Sequence, residues 1–242
     1  NNPLSADFDK DGDIDANDLA LFKSWYGQEC GGVWEGGHEI DNQSAIDVFA
    51  GYTEITGDLT ISGDSITSLQ DLRCLTSVGG NLIINADRLV SLTGLENLTS
   101  IGGELRISSC DSLVSLAGLD NLASITGQLR VGFNYRLRNL IGLRNLGSIG
   151  GDLRLTYNDE LTSVAGLESL ISIGGDLAIQ ENNLLTNLDG LKNLCYVSGN
   201  FTITDNSELC ESKVITFIFN GITIPPCNVG GDMTYAGNKE GC

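Results

Sequence analysis

From Thr99 onward, apolar residues fall at the same places in successive lines: TSIGGELRISSCDSLVSLAGLDNL, ASITGQLRVGFNYRLRNLIGLRNL, GSIGGDLRLTYNDELTSVAGLESL and ISIGGDLAIQENNLLTNLDGLKNL, a period of 24 residues. Two 23-residue versions precede them, from Thr53 and Thr76, and a worn seventh, CYVSGNFTITDNSEL, begins at Cys195. Numbered within the repeat, the apolar positions are 3, 7, 9, 15, 18, 21 and 24, as in Ile101, Leu105, Ile107, Leu113, Leu116, Leu119 and Leu122. The alternation at 7 and 9 predicts a short strand with one buried face. The spacing of three from 15 to 24 would suit a helix, but Gly94, Gly118, Gly142, Gly166 and Gly190 interrupt it and leave too few residues for a stable one. Each repeat is therefore expected to be one coil of a parallel, leucine-rich-repeat-like β-solenoid. Two or three very short strands per coil would stack into sheets about 4.8 Å apart, with the leucines in one continuous core.

Two polar columns accompany the apolar ones. Position 23 is Asn97, Asn121, Asn145 and Asn193, with Cys74 and Ser169 as exceptions, and such side-chain amides are suited to bonding turn backbone between coils. Position 5 is glycine throughout, from Gly57 to Gly199, and a tight corner with positive φ is expected there.

Charge and cysteine content narrow the surroundings. Thirteen basic residues against thirty-two acidic ones, a net charge of −19, argue against bare nucleic acid and anionic membrane as partners. No stretch approaches the roughly 18 apolar residues of a spanning helix, so membrane insertion is not expected. Seven cysteines without a Cys-x-x-Cys pair point to disulfides in an oxidising compartment, hence to secretion. Since seven is odd, at least one thiol is free or bonded to another chain, and Cys110, in the irregular part of its coil, is the candidate free thiol.

Catalytic chemistry finds no foothold. The single histidine, His38 in WEGGHEI, reads as an exposed turn residue and supports no Ser-His-Asp or multi-histidine arrangement. The recurring SIGGDL is a repeat corner, not a phosphate loop. A non-enzymatic protein is expected.

The opening stretch DFDKDGDIDANDLALFKSWYG resembles the dockerin type of EF-hand repeat. The resemblance assigns the side chains of Asp7, Asp9 and Asp11 to loop positions 1, 3 and 5, the turn to Gly12 and a carbonyl ligand to Asp13. Asp15 would act through water and Asp18 as the bidentate twelfth ligand, which implies Ca2+. Six carboxylates so spaced would repel one another in a folded loop without a cation.

The main body is similar to the receptor L-domain type of solenoid. FAGYTEITGDLTISG, followed by repeated LTSxGGxLxI and LxSLxGLxNL, carries the resemblance over roughly residues 30 to 242. It implies a right-handed β-solenoid, a capping helix within NQSAIDVFAGY (residues 42 to 52) and disulfide-bonded ends. The expected organisation is a calcium loop and helix at 1–29, an N-terminal cap at 30–52, solenoid repeats at 53–209 and a C-terminal cap at 210–242. The same resemblance implies that Cys210 bonds to Cys242 or Cys227. The family often has a cysteine where this chain has Tyr52, so Cys30 is expected to form an intermolecular or non-standard bond.

A candidate binding face follows from the strand pattern. Position 8 points outward and reads Thr60, Ile83, Arg106, Arg130, Arg154, Ala178, Thr202, stacking three arginines on successive coils. Position 11 adds Phe133 and Tyr157, with Tyr135 two residues beyond Phe133. Residues 101 to 157 hold six basic residues against four acids in an otherwise strongly acidic chain. Arginine with aromatics is the composition of an interaction hot spot for an acidic protein surface or a sugar; Glu104 and Asp152 at position 6 offer the alternative of a self-neutralised ladder. The leading functional expectation is an extracellular calcium-binding structural or adhesion protein that self-associates through its solenoid, head to tail into a filament. The alternatives are a module recognising a foreign protein or glycan on the arginine face, and an accessory module of a polysaccharide-degrading complex.

Overall fold

A computed structural model describes residues 30–218 and 227–240. Alternation of apolar and polar residues over only two to four positions makes short strands, and identical repeats make them pair in register. The result, among the described residues, is two nine-stranded sheets, each wholly parallel and each in chain order. A narrow sheet runs from Gly32–Trp34 and Tyr52–Ile55 through two-residue strands such as Ser100–Ile101 and Ser148–Ile149 to Asn228–Val229. A broad sheet runs from His38–Ile40 and Leu59–Ser62 through Leu105–Ser108, Leu129–Gly132 and Leu153–Thr156 to Met233–Thr234. Each coil thus has two strands. The rest of the coil carries position 15 to 24 leucines, with 3-10 turns at Gln70–Leu72 and Asp189–Leu191.

The expected apolar columns are the core. Leu105, Leu129, Leu153 and Leu177 stand opposite one another across the broad sheet, as do Ile107, Val131, Leu155 and Ile179, and all are buried. Replacing such a leucine with alanine typically costs about 2–5 kcal/mol.

Polar ladders hold the coils at their spacing. The position 23 amides act as the pattern predicts: Asn97, Asn121, Asn145 and Asn193 each donate from Nδ2 to a carbonyl of the preceding coil at 2.6–2.7 Å. A second ladder, at position 12, lies inside the core and was not singled out from the sequence. Asn134, Asn158, Asn182 and Asn206 are fully buried, and Asn238 nearly so. In the first four, the Oδ1 of the next asparagine accepts both the backbone N–H and the Nδ2–H, and Nδ2 also donates to a carbonyl of the preceding coil. Buried amides cost free energy unless paired, and the backbone N–H and Nδ2 of these four asparagines find partners in the neighbouring coils.

Cys110 occupies the same column. Its N–H donates to Asn134 Oδ1 at 3.0 Å while its sulfur accepts the Ala86 N–H at 3.5 Å, so the thiol substitutes for the missing amide. It is the free cysteine among the described residues, and it is buried.

Several expectations need correction, and that for Cys210 is narrowed. The position 5 glycines do not take positive φ; Gly94, Gly118, Gly142 and Gly166 at position 20 do, at +112 to +120°. Position 5 needs glycine for space, because a Cβ at Gly80, Gly103, Gly175 or Gly199 would strike the position 6 side chain of the preceding coil. Cys30 is bonded within the chain to Cys74, the cysteine that interrupts the position 23 asparagines. Tyr52 instead lays its ring over Gly32 and sits 5.4 Å from Trp34. Cys227 bonds Cys195 and not Cys210, because pairing of Tyr196 with Asn228 places the two preceding residues side by side. Cys210 is also disulfide-bonded, while Cys242 lies outside the described residues.

The sheets extend into both expected caps. Strands Gly32–Trp34 and His38–Ile40 belong to the first coil, so His38 is a half-buried strand residue whose ring lies 4.9 Å from that of Phe49. The capping helix is one turn, Gln43–Ile46, started by Asn42 Oδ1 accepting the Ala45 N–H, and continues as the 3-10 turn Asp47–Phe49. Gln43 bonds the backbone of Thr67 and Ser68, tying the cap to the next coil. At the other end, the helix Glu211–Phe217 closes the solenoid and buries Val214.

Breaking the inner ladder should hurt far more than breaking the outer one. Asn158→Ala leaves the Asn134 N–H without its acceptor and is expected to lower stability by about 2–4 kcal/mol; Asn145→Ala, at the surface, by about 1 kcal/mol or less. Equilibrium urea unfolding of the two variants measures the difference.

Burial pushes the Cys110 thiol up to about 11. It should therefore resist iodoacetamide at neutral pH and react only when the protein unfolds, which mass spectrometry of labelled digests reads directly.

Candidate functional site

Register converts the sequence column at position 8 into a row of guanidinium groups. Arg106, Arg130 and Arg154 are direct partners on three adjacent strands of the broad sheet. Behind them the outward position 10 residues are small, Ser108, Gly132 and Thr156, and a Cβ at Gly132 would crowd Thr156. The strand then turns at position 11 with φ between 52 and 59° in five successive coils, at Ser109, Phe133, Tyr157, Glu181 and Asp205. This left-handed corner throws the position 11 side chains out of the sheet. Phe133 and Tyr157 stack there with ring centroids 4.9 Å apart and planes 16° from parallel, and both remain nearly half exposed. Arginines, small floor and Phe133 together line a cleft of about 210 Å³.

The three arginines are not equivalent. Arg154 is engaged by Asp152 through Nε at 3.2 Å and Nη2 at 2.8 Å, with Asp176 3.8 Å away. Arg130 uses Nε, donating to Gln128 at 2.9 Å, with Glu104 Oε1 at 3.3 Å. That Glu104 oxygen is buried and makes no well-aligned hydrogen bond, so the ion pair satisfies it only by proximity. Arg106 is exposed and, among the described residues, has no ion-pair partner. The self-neutralised reading thus holds for Arg154, while Arg106 and the Nη groups of Arg130 remain open.

Position 6 carries its own ladder. Asp58, Asn81, Asp152, Asp176 and Asn200 each accept, through Oδ1, the N–H of the equivalent residue one coil on. Burial pulls the Asp152 carboxyl upward, but the Asp176 N–H, the Arg154 hydrogen bond and charge, and the Arg130 charge together hold it below its ordinary value.

Tyr135 is exposed but does not line the cleft, because the buried Asn134 intervenes and sends it round the corner. Asp7, Asp9, Asp11, Asp13, Asp15 and Asp18 lie outside the described residues. Among the described residues no group of three or more His, Cys, Asp or Glu side chains could hold a metal ion. A larger hollow of about 320 Å³ lies beside the C-terminal helix, but its Lys213 already donates to the Thr186 carbonyl, and the cleft on the broad sheet gathers the open charge and the exposed Phe133 ring.

A family model described as Receptor L domain matches residues 147–214, less than half of the chain. No curated protein and no solved structure matches. The disulfides and this match fit an extracellular location, and no helix among the described residues is long and apolar enough to cross a membrane.

Because the Asp152 carboxyl titrates below its ordinary value of 3.8, the stability it contributes is present above that value and is lost as pH falls through the lowered one. Urea unfolding of Asp152→Asn should show a deficit against the unaltered protein at about pH 6 that shrinks at about pH 2.5.

Proposed function

We propose that the solenoid is a non-catalytic extracellular recognition module that binds a carboxylate-bearing ligand, an acidic protein segment or acidic glycan, in the cleft on its broad sheet. The observation that carries this reading is the coexistence, in one cleft, of an arginine without an ion-pair partner among the described residues, a second whose Nη groups make no hydrogen bond among them, and the exposed ring of Phe133, which stacks on Tyr157. Planar guanidinium groups on adjacent strands, about 4.8 Å apart, can grip one carboxylate between them. The small floor of Ser108, Gly132 and Thr156 leaves room for it to approach. The Phe133 face supplies apolar area at little cost in side-chain freedom, as aromatic hot spots do. The receptor L-domain match supports a ligand-binding role, and the absence of catalytic groupings in the sequence agrees with a binding module.

The opening acidic loop is included in this proposal as a calcium site, on the chemistry of its donors: alternating carboxylates and a glycine turn suit a hard cation. Isothermal titration should find one tight calcium site, abolished by Asp7→Ala or Asp18→Ala, with little change in melting of the solenoid. Titration without a calcium signal in the unaltered protein refutes it.

Binding of polyglutamate or polygalacturonate tests the cleft. Arg106→Ala and Arg130→Ala should each weaken it roughly ten- to a hundredfold, since a shielded hydrogen bond between charged groups contributes about 1.5–3 kcal/mol. Phe133→Ala should act similarly on polygalacturonate, whereas Arg154→Ala should act least because Asp152 already holds that guanidinium. Equal small effects at all positions would remove the proposal.

A further inference from the structure

The broad sheet presents a second half beyond the arginines. Continuing in register, position 8 becomes Ala178 and Thr202, position 6 becomes Asp176 and Asn200, and position 11 becomes Glu181 and Asp205. Among the described residues neither Glu181 nor Asp205 has an ion-pair partner for its carboxylate. Five successive coils therefore carry open positive charge at one end, open negative charge at the other, and Tyr157 with the internally paired Arg154 in the middle coil.

We propose that the partner fitting this face is a second copy of the chain, docked antiparallel about a two-fold axis running along the Arg154 strand; this rests on reading the face as a recognition surface. Such an axis reverses the order of coils but keeps each column opposite itself. Arg130 then stands over Ala178 of the second copy, a small and nearly buried residue flanked by Asp176 and Glu181. Arg106 stands over Thr202, flanked by Asn200 and Asp205. Arg130 of one copy thus enters the recess over Ala178 beside two carboxylates, Arg106 meets Thr202 beside one, Asp205, and the contact is made twice by symmetry. The like charges meeting on the axis are the two Arg154 groups and the two Asp152 groups, and within each copy Asp152 already holds Arg154 so that the pair is internally neutralised. The Tyr157 rings meet near the axis, with Phe133 beside each. The first and last of the five strands are about 19 Å apart, so this face alone is well below the roughly 800 Å² per partner of a standard interface. The pairing is weak and strengthens at high local concentration.

Charge reversal with complementation tests this. Sedimentation velocity of the full chain should show a dimer growing with concentration. It should be lost in Arg106→Glu/Arg130→Glu and separately in Glu181→Lys/Asp205→Lys, and restored when the two variants are mixed in equal amounts. Position 11 accommodates Ser, Phe, Tyr, Glu and Asp in the same backbone conformation, so the lysines should be tolerated. The restored mixture itself shows that both variants fold. A dimer indifferent to both reversals, or two monomeric variants that fail to complement although circular dichroism shows them folded, overturns the proposal. If the unaltered protein stays monomeric yet binds polyglutamate through Arg130, the second-copy partner is wrong and the recognition reading stands. Loss of both dimer and polyglutamate binding sinks the two together.

Discussion

The structure depends on satisfying the backbone and side-chain donors of each coil with acceptors of its neighbours. A 24-residue coil has too little apolar surface to fold alone, and its corners expose N–H groups that cannot be left dry in a core. The buried asparagines at position 12 meet this requirement from inside, the position 23 amides from one corner and the position 6 side chains from another. Each ladder works only if successive coils are in register. The ladders, and not the leucines alone, therefore specify the spacing: leucine contacts tolerate sliding and hydrogen bonds do not.

Strict register has a functional consequence. It turns a column of the sequence into a straight row on the surface, so charge placed on three successive coils becomes a patch and charge of the opposite sign on the next two becomes its counterpart. The left-handed corner at position 11 extends this by projecting whatever side chain stands there beside the position 8 row. Because the backbone is the same in every coil, the face can change chemistry without change of fold. The N-terminal and C-terminal coils, tied by Cys30–Cys74 and Cys195–Cys227, bound the array.

Glycine shows how one residue type answers two constraints. At Gly94, Gly118, Gly142 and Gly166 it supplies a positive φ that other residues adopt at a cost as well as clearance from the preceding coil's backbone, and at position 5 it supplies clearance alone, at Gly80, Gly103, Gly175 and Gly199 from the preceding coil's position 6 side chain. Both columns are plain in the sequence, but the letter alone does not distinguish conformation from clearance. The cysteines behave alike: Cys110 and Cys74 each stand in an asparagine column, one accepting the hydrogen bond that the amide would accept, the other replacing the ladder by a covalent tie.

The sequence by itself determined the period, the apolar columns, the short strands, the position 23 ladder and the outward direction of Arg106, Arg130 and Arg154. All of these follow from a backbone that repeats every 23 or 24 residues and alternates its faces. That Phe133 and Tyr157 also face outward was decided by the left-handed corner at position 11. The position 12 asparagines were equally regular, and only their burial distinguishes them from a surface turn. Tertiary structure alone decided which arginine is open and which is held. Asp152, Asp176, Glu104 and Gln128 are all within a coil or two of the row, and the choice among them turns on a few ångströms of side-chain reach. It also decided the disulfides, because pairing of Tyr196 with Asn228 spans an interval longer than the repeat and cannot be counted out from the period.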